Sequence, residues 1–77
     1  MNAQFQSNAH DSCSLIDLTA RNDVDMVKVE KIVRYLCDVI GYEDVAADHD
    51  HHVTLGIYGN TIADMKKDYS EAKKATR

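Results

Sequence analysis

The residues best suited to chemistry lie in one short run, Asp48-His49-Asp50-His51-His52. Imidazole nitrogens and carboxylate oxygens are ligands that Zn²⁺ and Ni²⁺ accept in proteins. In a strand His49 and His51 share a face, whereas in a helix His49 and His52 do so. The run therefore suggests a metal or pH sensor built on His49, His51 and His52. Since no further ligand group follows at a recognised zinc spacing, a metal-free polar loop is the competing interpretation, and no cofactor is expected.

Carboxylates form a second set of candidate functional residues. The chain holds 13 acidic and 9 basic residues, for a formal charge of −4. Carboxylates can stand in for nucleic-acid phosphates against the Lys and Arg side chains of a protein that binds nucleic acid. The acidic segment from 43 to 50 is the place where the chain could present such groups. We therefore predict that the partner-binding residues are Glu43, Asp44, Asp48 and Asp50.

A central helix is the clearest element that could position these residues. Apolar residues recur at helical spacing from Met26 to Ile40 and fall on one side of a helical wheel. Asn22 or Asp23 suits the helix start, and Gly41 suits a left-handed stop. The pattern predicts a helix over about 23–40. Its apolar arc is wide for so short a chain, so a homodimer that buries part of it is a further expectation.

A second helix is predicted over about 61–75. Ile62, Met65, Tyr69 and Ala72 form an apolar stripe at helical spacing, and Thr61 stands three residues before an Asp that could complete a capping box. The segment just before this helix is ambiguous. Its apolar residues alternate over about 53–58, which is typical of a short strand.

The same segment also permits a helix-turn-helix. The stretch "HHVTLGIYGNTIADMKKDY" over 51–69 resembles the core of bacterial helix-turn-helix regulators, including the Fis type. The likeness rests on Leu55, Gly56 and Ile57 at the turn and on Thr61, Ile62 and Met65 at the start of the second helix. The resemblance implies a dimeric DNA-binding transcriptional regulator whose major-groove contacts come from Asn60, Thr61 and Lys67.

Two features of the stretch depart from that family. Where His51 stands the family usually has an apolar residue, and where His52 stands it has a small one. In addition, Asp64 and Asp68 on the second helix would repel phosphate. Both departures put the DNA contact in doubt.

The fold class predicted from these elements is mainly α, a small helical bundle formed by one domain over 1–77. Residues 1–11 are expected to form a flexible tail, and a strand at 53–58 would make the fold α+β. The sequence has no Gly-rich phosphate loop, no G-x-S-x-G elbow and no H-E-x-x-H. A chain of 77 residues also has little material for a deep cleft. We therefore expect a protein that is not an enzyme.

Location and function follow by elimination. The sequence has no apolar run of about 18 residues that could span a membrane and no secretory signal, so a cytoplasmic protein is expected. The leading hypothesis is a small acidic regulator or inhibitor that binds a macromolecular partner. An inhibitor from a phage or mobile element that blocks a host nucleic-acid-binding complex by charge mimicry is one form of it.

Overall fold

The computed structural model describes residues 1–8, 13–48 and 51–77. These residues form four strands and two helices, so the fold is α+β and the expectation of a mainly α bundle was wrong. The strands are β1 (Asn2–Asn8), β2 (Cys13–Thr19), β3 (Glu43–Asp48) and β4 (His52–Tyr58). The helices are α1 (Asp23–Tyr35), which continues into a π-helical turn over Leu36–Ile40, and α2 (Ile62–Ala75).

The error in the fold class came from β1, β2 and β3, because none of these strands was predicted from the sequence. The positions of α1 with its π-helical turn, of α2 and of β4 agree with the segments predicted at 23–40, 61–75 and 53–58. The expected tail over 1–11 instead contains β1, whereas residues 9–12 lie outside the described residues. An edge strand needs only one half-buried side. In β1 this side is formed by Ala3 and Phe5, and the remaining five residues of the strand are polar.

The four strands form one antiparallel sheet in the order β1-β2-β4-β3. The two central strands are therefore β2 and β4, with Ile16 opposite Leu55 and Leu18 opposite Val53. β1 pairs with β2 without a break from Asn2 opposite Thr19 to Asn8 opposite Cys13. The pairing of β3 with β4 is interrupted between Asp44 and Ala46, where Val45 forms a bulge.

The core lies between one face of this sheet and the two helices. Along β2 the buried residues are Ser14, Ile16 and Leu18, and they alternate with half-buried ones. The hydrophobic core cluster joins these strand residues to helix residues. Its fully buried members are Ile16, Leu18, Val29, Leu36, Leu55, Met65 and Ala72. Because α1 and α2 pack on the same face, no described element covers the other face of the sheet.

Local signals in the sequence fix the ends of both helices. The Asn22 side chain accepts a hydrogen bond from the Asp25 backbone N–H at 2.9 Å, and Gly41 ends the π-helical turn in the left-handed region with φ of 109°. The buried Tyr42 then donates its hydroxyl hydrogen to Asp68 at 2.8 Å, which ties the end of the first helical segment to α2.

Neither helix in the described parts of the chain is long and apolar enough to cross a membrane.

Candidate partner-binding surface

The side of the sheet opposite the helices is not covered by any other element of the described residues. We call it the open face. On the central strands its members are the residues that alternate with the core. They are Cys13, Leu15, Asp17 and Thr19 on β2, and His52, Thr54, Gly56 and Tyr58 on β4. Most of them are half-buried because neighbouring side chains on the face cover one another.

One end of the open face is a polar cluster around Asp17. The Thr54 hydroxyl donates to an Asp17 carboxylate oxygen at 2.6 Å, and His52 Nε2 lies 3.3 Å from the same oxygen. Thr54 is the residue directly opposite Asp17 in the strand register, so the pairing of β2 with β4 is what brings the two together. The cluster can accept and donate hydrogen bonds on the surface of the sheet.

The other end of the open face is apolar and is organised by Gly56. A Cβ atom at this position would lie 2.9 Å from Val45 Cγ2 and 3.4 Å from Leu15 Cδ2. The missing side chain therefore lets Val45 and Leu15 close over the backbone of β4. Val45 is still 57% exposed and Tyr58 is 72% exposed, so this end presents apolar surface to solvent.

The edge strand β3 borders this apolar end and is acidic. Glu43 is opposite Gly56 and Asp44 is opposite Leu55, so the two residues belong to opposite faces of the sheet. Both are exposed. Asp48, the last residue of β3, is opposite His52, and Asp50 lies outside the described residues. Of the four predicted partner-binding residues, the structure thus places three on one edge strand.

Asp44 also lies near the end of the first helical segment. Burial raises the pKa of the Cys37 thiol, and the carboxylates of Asp44 and Asp38 raise it further. The two carboxylates and the thiol line the same groove, whose other members include Met26, Val33 and Val53. Glu30 and Arg34 also line the groove, so its charge is mixed in sign.

The histidines predicted to hold a metal point to different places. His51 Nε2 lies 2.7 Å from Asp23 Oδ1 at the start of α1, whereas His52 lies beside Asp17 on the open face. His51 has a left-handed backbone with φ of 61°, at the turn into β4. His49 lies outside the described residues. Within residues 1–8, 13–48 and 51–77, no group of three or more potential ligands converges.

The helix-turn-helix is not formed. Residues 52–58 are strand β4, because Val53 and Leu55 alternate into the core between β2 and β3. Thr61 and Asp64 form a capping box, and the Asn60 side chain donates to Asp68 at 3.3 Å while the Asn60 carbonyl accepts a hydrogen bond from Ser14. Asn60 and Thr61, two of the three residues predicted to contact DNA, thus have structural partners. The third, Lys67, is exposed on α2.

Sequence reasoning missed the open face itself, including Leu15, Asp17, Val45 and Thr54. The segment "CSLIDLT" does not alternate strictly between apolar and polar residues, because Leu15 and Ile16 are both apolar and the polar Ser14 is one of its buried residues. Its seven residues are also too few to separate the period of a helix from that of a strand, so the sequence alone does not identify β2.

The chain shows no similarity from which a function could be transferred. No protein-family model matches it, and neither does a curated protein or a solved structure. The surface described above therefore has to be interpreted from its own geometry and charge.

Proposed function

We propose that this protein is a non-enzymatic regulator that binds a basic surface of a macromolecular partner through β3 and the adjoining apolar end of the open face. The main support for the proposal is the composition of β3, which lies at the edge of the sheet. β3 presents exposed carboxylates from Glu43 and Asp44 on both of its sides, next to exposed Val45. Apolar contact beside charge is the usual anatomy of a protein interface.

The charge of the partner follows from the charge of the edge. Carboxylates steer a surface rich in Lys and Arg toward β3 and repel nucleic acid. The net charge of −4 acts in the same direction. We infer that the partner is a protein whose basic surface otherwise binds nucleic acid, and that the protein acts on it by occupying that surface.

The proposal is tested by capture from the native host lysate with two double variants of equal charge. Glu43→Gln/Asp44→Asn removes two exposed carboxylates from β3, whereas Glu30→Gln/Glu71→Gln removes two exposed carboxylates from the helices. All samples are treated with nuclease and read by mass spectrometry. We expect a stoichiometric protein that is captured by the wild type and by the helix variant and is lost from the β3 variant.

Other results would contradict the proposal. Equal loss of the captured protein from both variants would assign the effect to net charge alone. Capture that depends on intact nucleic acid, with proteins lost on nuclease treatment, would favour direct binding to DNA or RNA instead.

A further inference from the structure

The two edges of the sheet differ in how they resist pairing with another strand. Natural sheet edges are protected from such pairing by charged side chains, prolines, bulges or short length. β3 carries acidic residues and a bulge at Val45. β1, with the sequence "NAQFQSN", has seven residues, no charge and no proline, and its pairing with β2 is regular throughout. β1 is therefore an edge without any of these protections.

We propose that β1 pairs with β1 of a second copy in an antiparallel, two-fold symmetric arrangement. This inference does not depend on the proposed function, because it concerns the opposite edge of the sheet. A symmetric pairing centred on Phe5 places Gln4 opposite Gln6 of the second copy. Each primary amide has both donors and an acceptor, so facing glutamines can satisfy one another.

The apolar side of β1 also favours pairing with a second copy of this chain. Phe5 is half-buried at the border of the core and meets the Tyr69 ring edge to face, with the ring centroids 5.8 Å apart. At the centre of the pairing Phe5 would lie beside Phe5 of the second copy. The cores of the two copies would then meet at the two-fold axis, and the exposed part of each Phe5 ring would be removed from water.

Charge explains why the second copy pairs through β1. Two β3 strands would bring Glu43 and Asp44 of one copy close to those of another, and like charges on facing strands are destabilising. Two β1 strands meet no such repulsion although each chain carries a charge of −4. Of the two edges of the described sheet, the uncharged edge at β1 is thus the one on which two acidic copies can meet.

A charge-pattern experiment tests this arrangement. In Gln4→Lys/Gln6→Lys every facing pair across the two-fold axis joins two cations, whereas in Gln4→Lys/Gln6→Glu every facing pair joins opposite charges. Lys at position 4 is common to both variants and faces Asp17 of its own chain in the β1–β2 register, so the monomer tolerates it. Circular dichroism checks that both variants remain folded.

Sedimentation equilibrium over a wide range of protein concentrations provides the readout. We expect a monomer–dimer equilibrium for the wild type, a dimer dissociation constant raised about tenfold in the variant with two lysines, and a constant equal to or lower than that of the wild type in the variant with opposite charges. Val27→Lys, at a 51% exposed residue on α1, is the control for self-association through the helix and should leave the constant unchanged.

Three results would overturn the proposal. The first is a wild type that stays monomeric up to about 1 mM, which would mean a dimer dissociation constant weaker than about 1 mM. The second is a dimer that is indifferent to both changes on β1. The third is a dimer that is lost in Val27→Lys, which would transfer the interface to the exposed valines of α1.

Discussion

Among the acidic residues that the structure describes, Asp25 is the one that is buried. It is almost fully buried and lies 2.7 Å from the Met1 amino group. The hydrogen bond from that amino group, followed by one from the Arg21 backbone N–H at 3.0 Å, lowers the Asp25 pKa from 3.8 to about 2. The carboxylate thereby links the start of β1 to the start of α1.

The lowered pKa gives Asp25 a stability contribution that depends on pH. A carboxyl group with a folded-state pKa below its unfolded value stabilises the fold fully above that unfolded value, here 3.8, and its contribution disappears as the pH falls toward 2. We expect Asp25→Asn to lower the free energy of unfolding at pH 7 and to have little effect at pH 2. Urea unfolding at several pH values measures this, with Asp38→Asn as an exposed control. A deficit that persists unchanged at pH 2 would contradict the assignment.

Gly56 is the residue that shapes the apolar end of the open face. A valine there would meet Val45 and Leu15, because even a Cβ would lie 2.9 Å from the Val45 side chain. We expect Gly56→Val to lower the free energy of unfolding by about 1–3 kcal/mol. Val45→Ala should make room, so Gly56→Val should cost clearly less in that background. Additive effects of the two changes in chemical denaturation would show that the contact is not responsible.

At the scale of the element, α2 depends on its N-terminal cap. The Thr61 hydroxyl accepts from the Asp64 backbone N–H at 3.1 Å, and the Asp64 carboxylate accepts from the Thr61 backbone N–H at 3.0 Å. The second of these bonds is the main reason why the Asp64 pKa is lowered. Together they satisfy two backbone donors that the first turn of a helix leaves free.

Removal of the cap should weaken the whole protein, because α2 supplies Met65 and Ala72 to the core. We expect Thr61→Ala to lower the free energy of unfolding by about 1 kcal/mol, and Thr61→Ser, which keeps the hydroxyl, to lose much less. Thermal and urea unfolding of the two variants provide the comparison. Equal losses in both would mean that the methyl group of Thr61, and not its hydroxyl, carries the effect.

The sequence predicted α1, α2 and β4. The two helices are several helical turns long, and the apolar residues of β4 alternate along the strand. The central helix has a complete apolar side and recognisable caps, and α2 has both a stripe and a capping box. β1 and β3 could not be predicted in the same way, because an edge strand buries few side chains and its pairing depends on residues far away in sequence. Asp17 and Thr54, for example, are 37 residues apart and become neighbours only through the β2–β4 register.

The same limit applies to the candidate site. The acidic residues of 43–50 were visible as a charged segment, but not as the edge of a sheet. Sequence alone could not show that Glu43 lies opposite Gly56 and that Val45 packs over this glycine. The predicted histidine site required His49 to share a face with His51 or His52, and His49 lies outside the described residues. His51 and His52 themselves lie beside different residues, Asp23 and Asp17.

At the scale of the whole molecule, the charge and the topology divide the sheet into two edges with different properties. The acidic edge at β3 is suited to a basic partner, and the uncharged edge at β1 is suited to a second copy. A dimer joined through β1 would form a sheet of eight strands with β3 at each end. Such a dimer could hold two basic sites at once and gain avidity without any new contact.

The association rate constant of the protein with its captured partner, measured against salt concentration, tests the role of β3 most directly. We expect Glu43→Gln/Asp44→Asn to slow association roughly tenfold at low salt and to flatten the salt dependence. Glu30→Gln/Glu71→Gln, with the same net charge, should change both quantities much less. Equal rates and equal salt dependence for the two double variants would contradict the account, because charge would then act through its total and not through the edge strand.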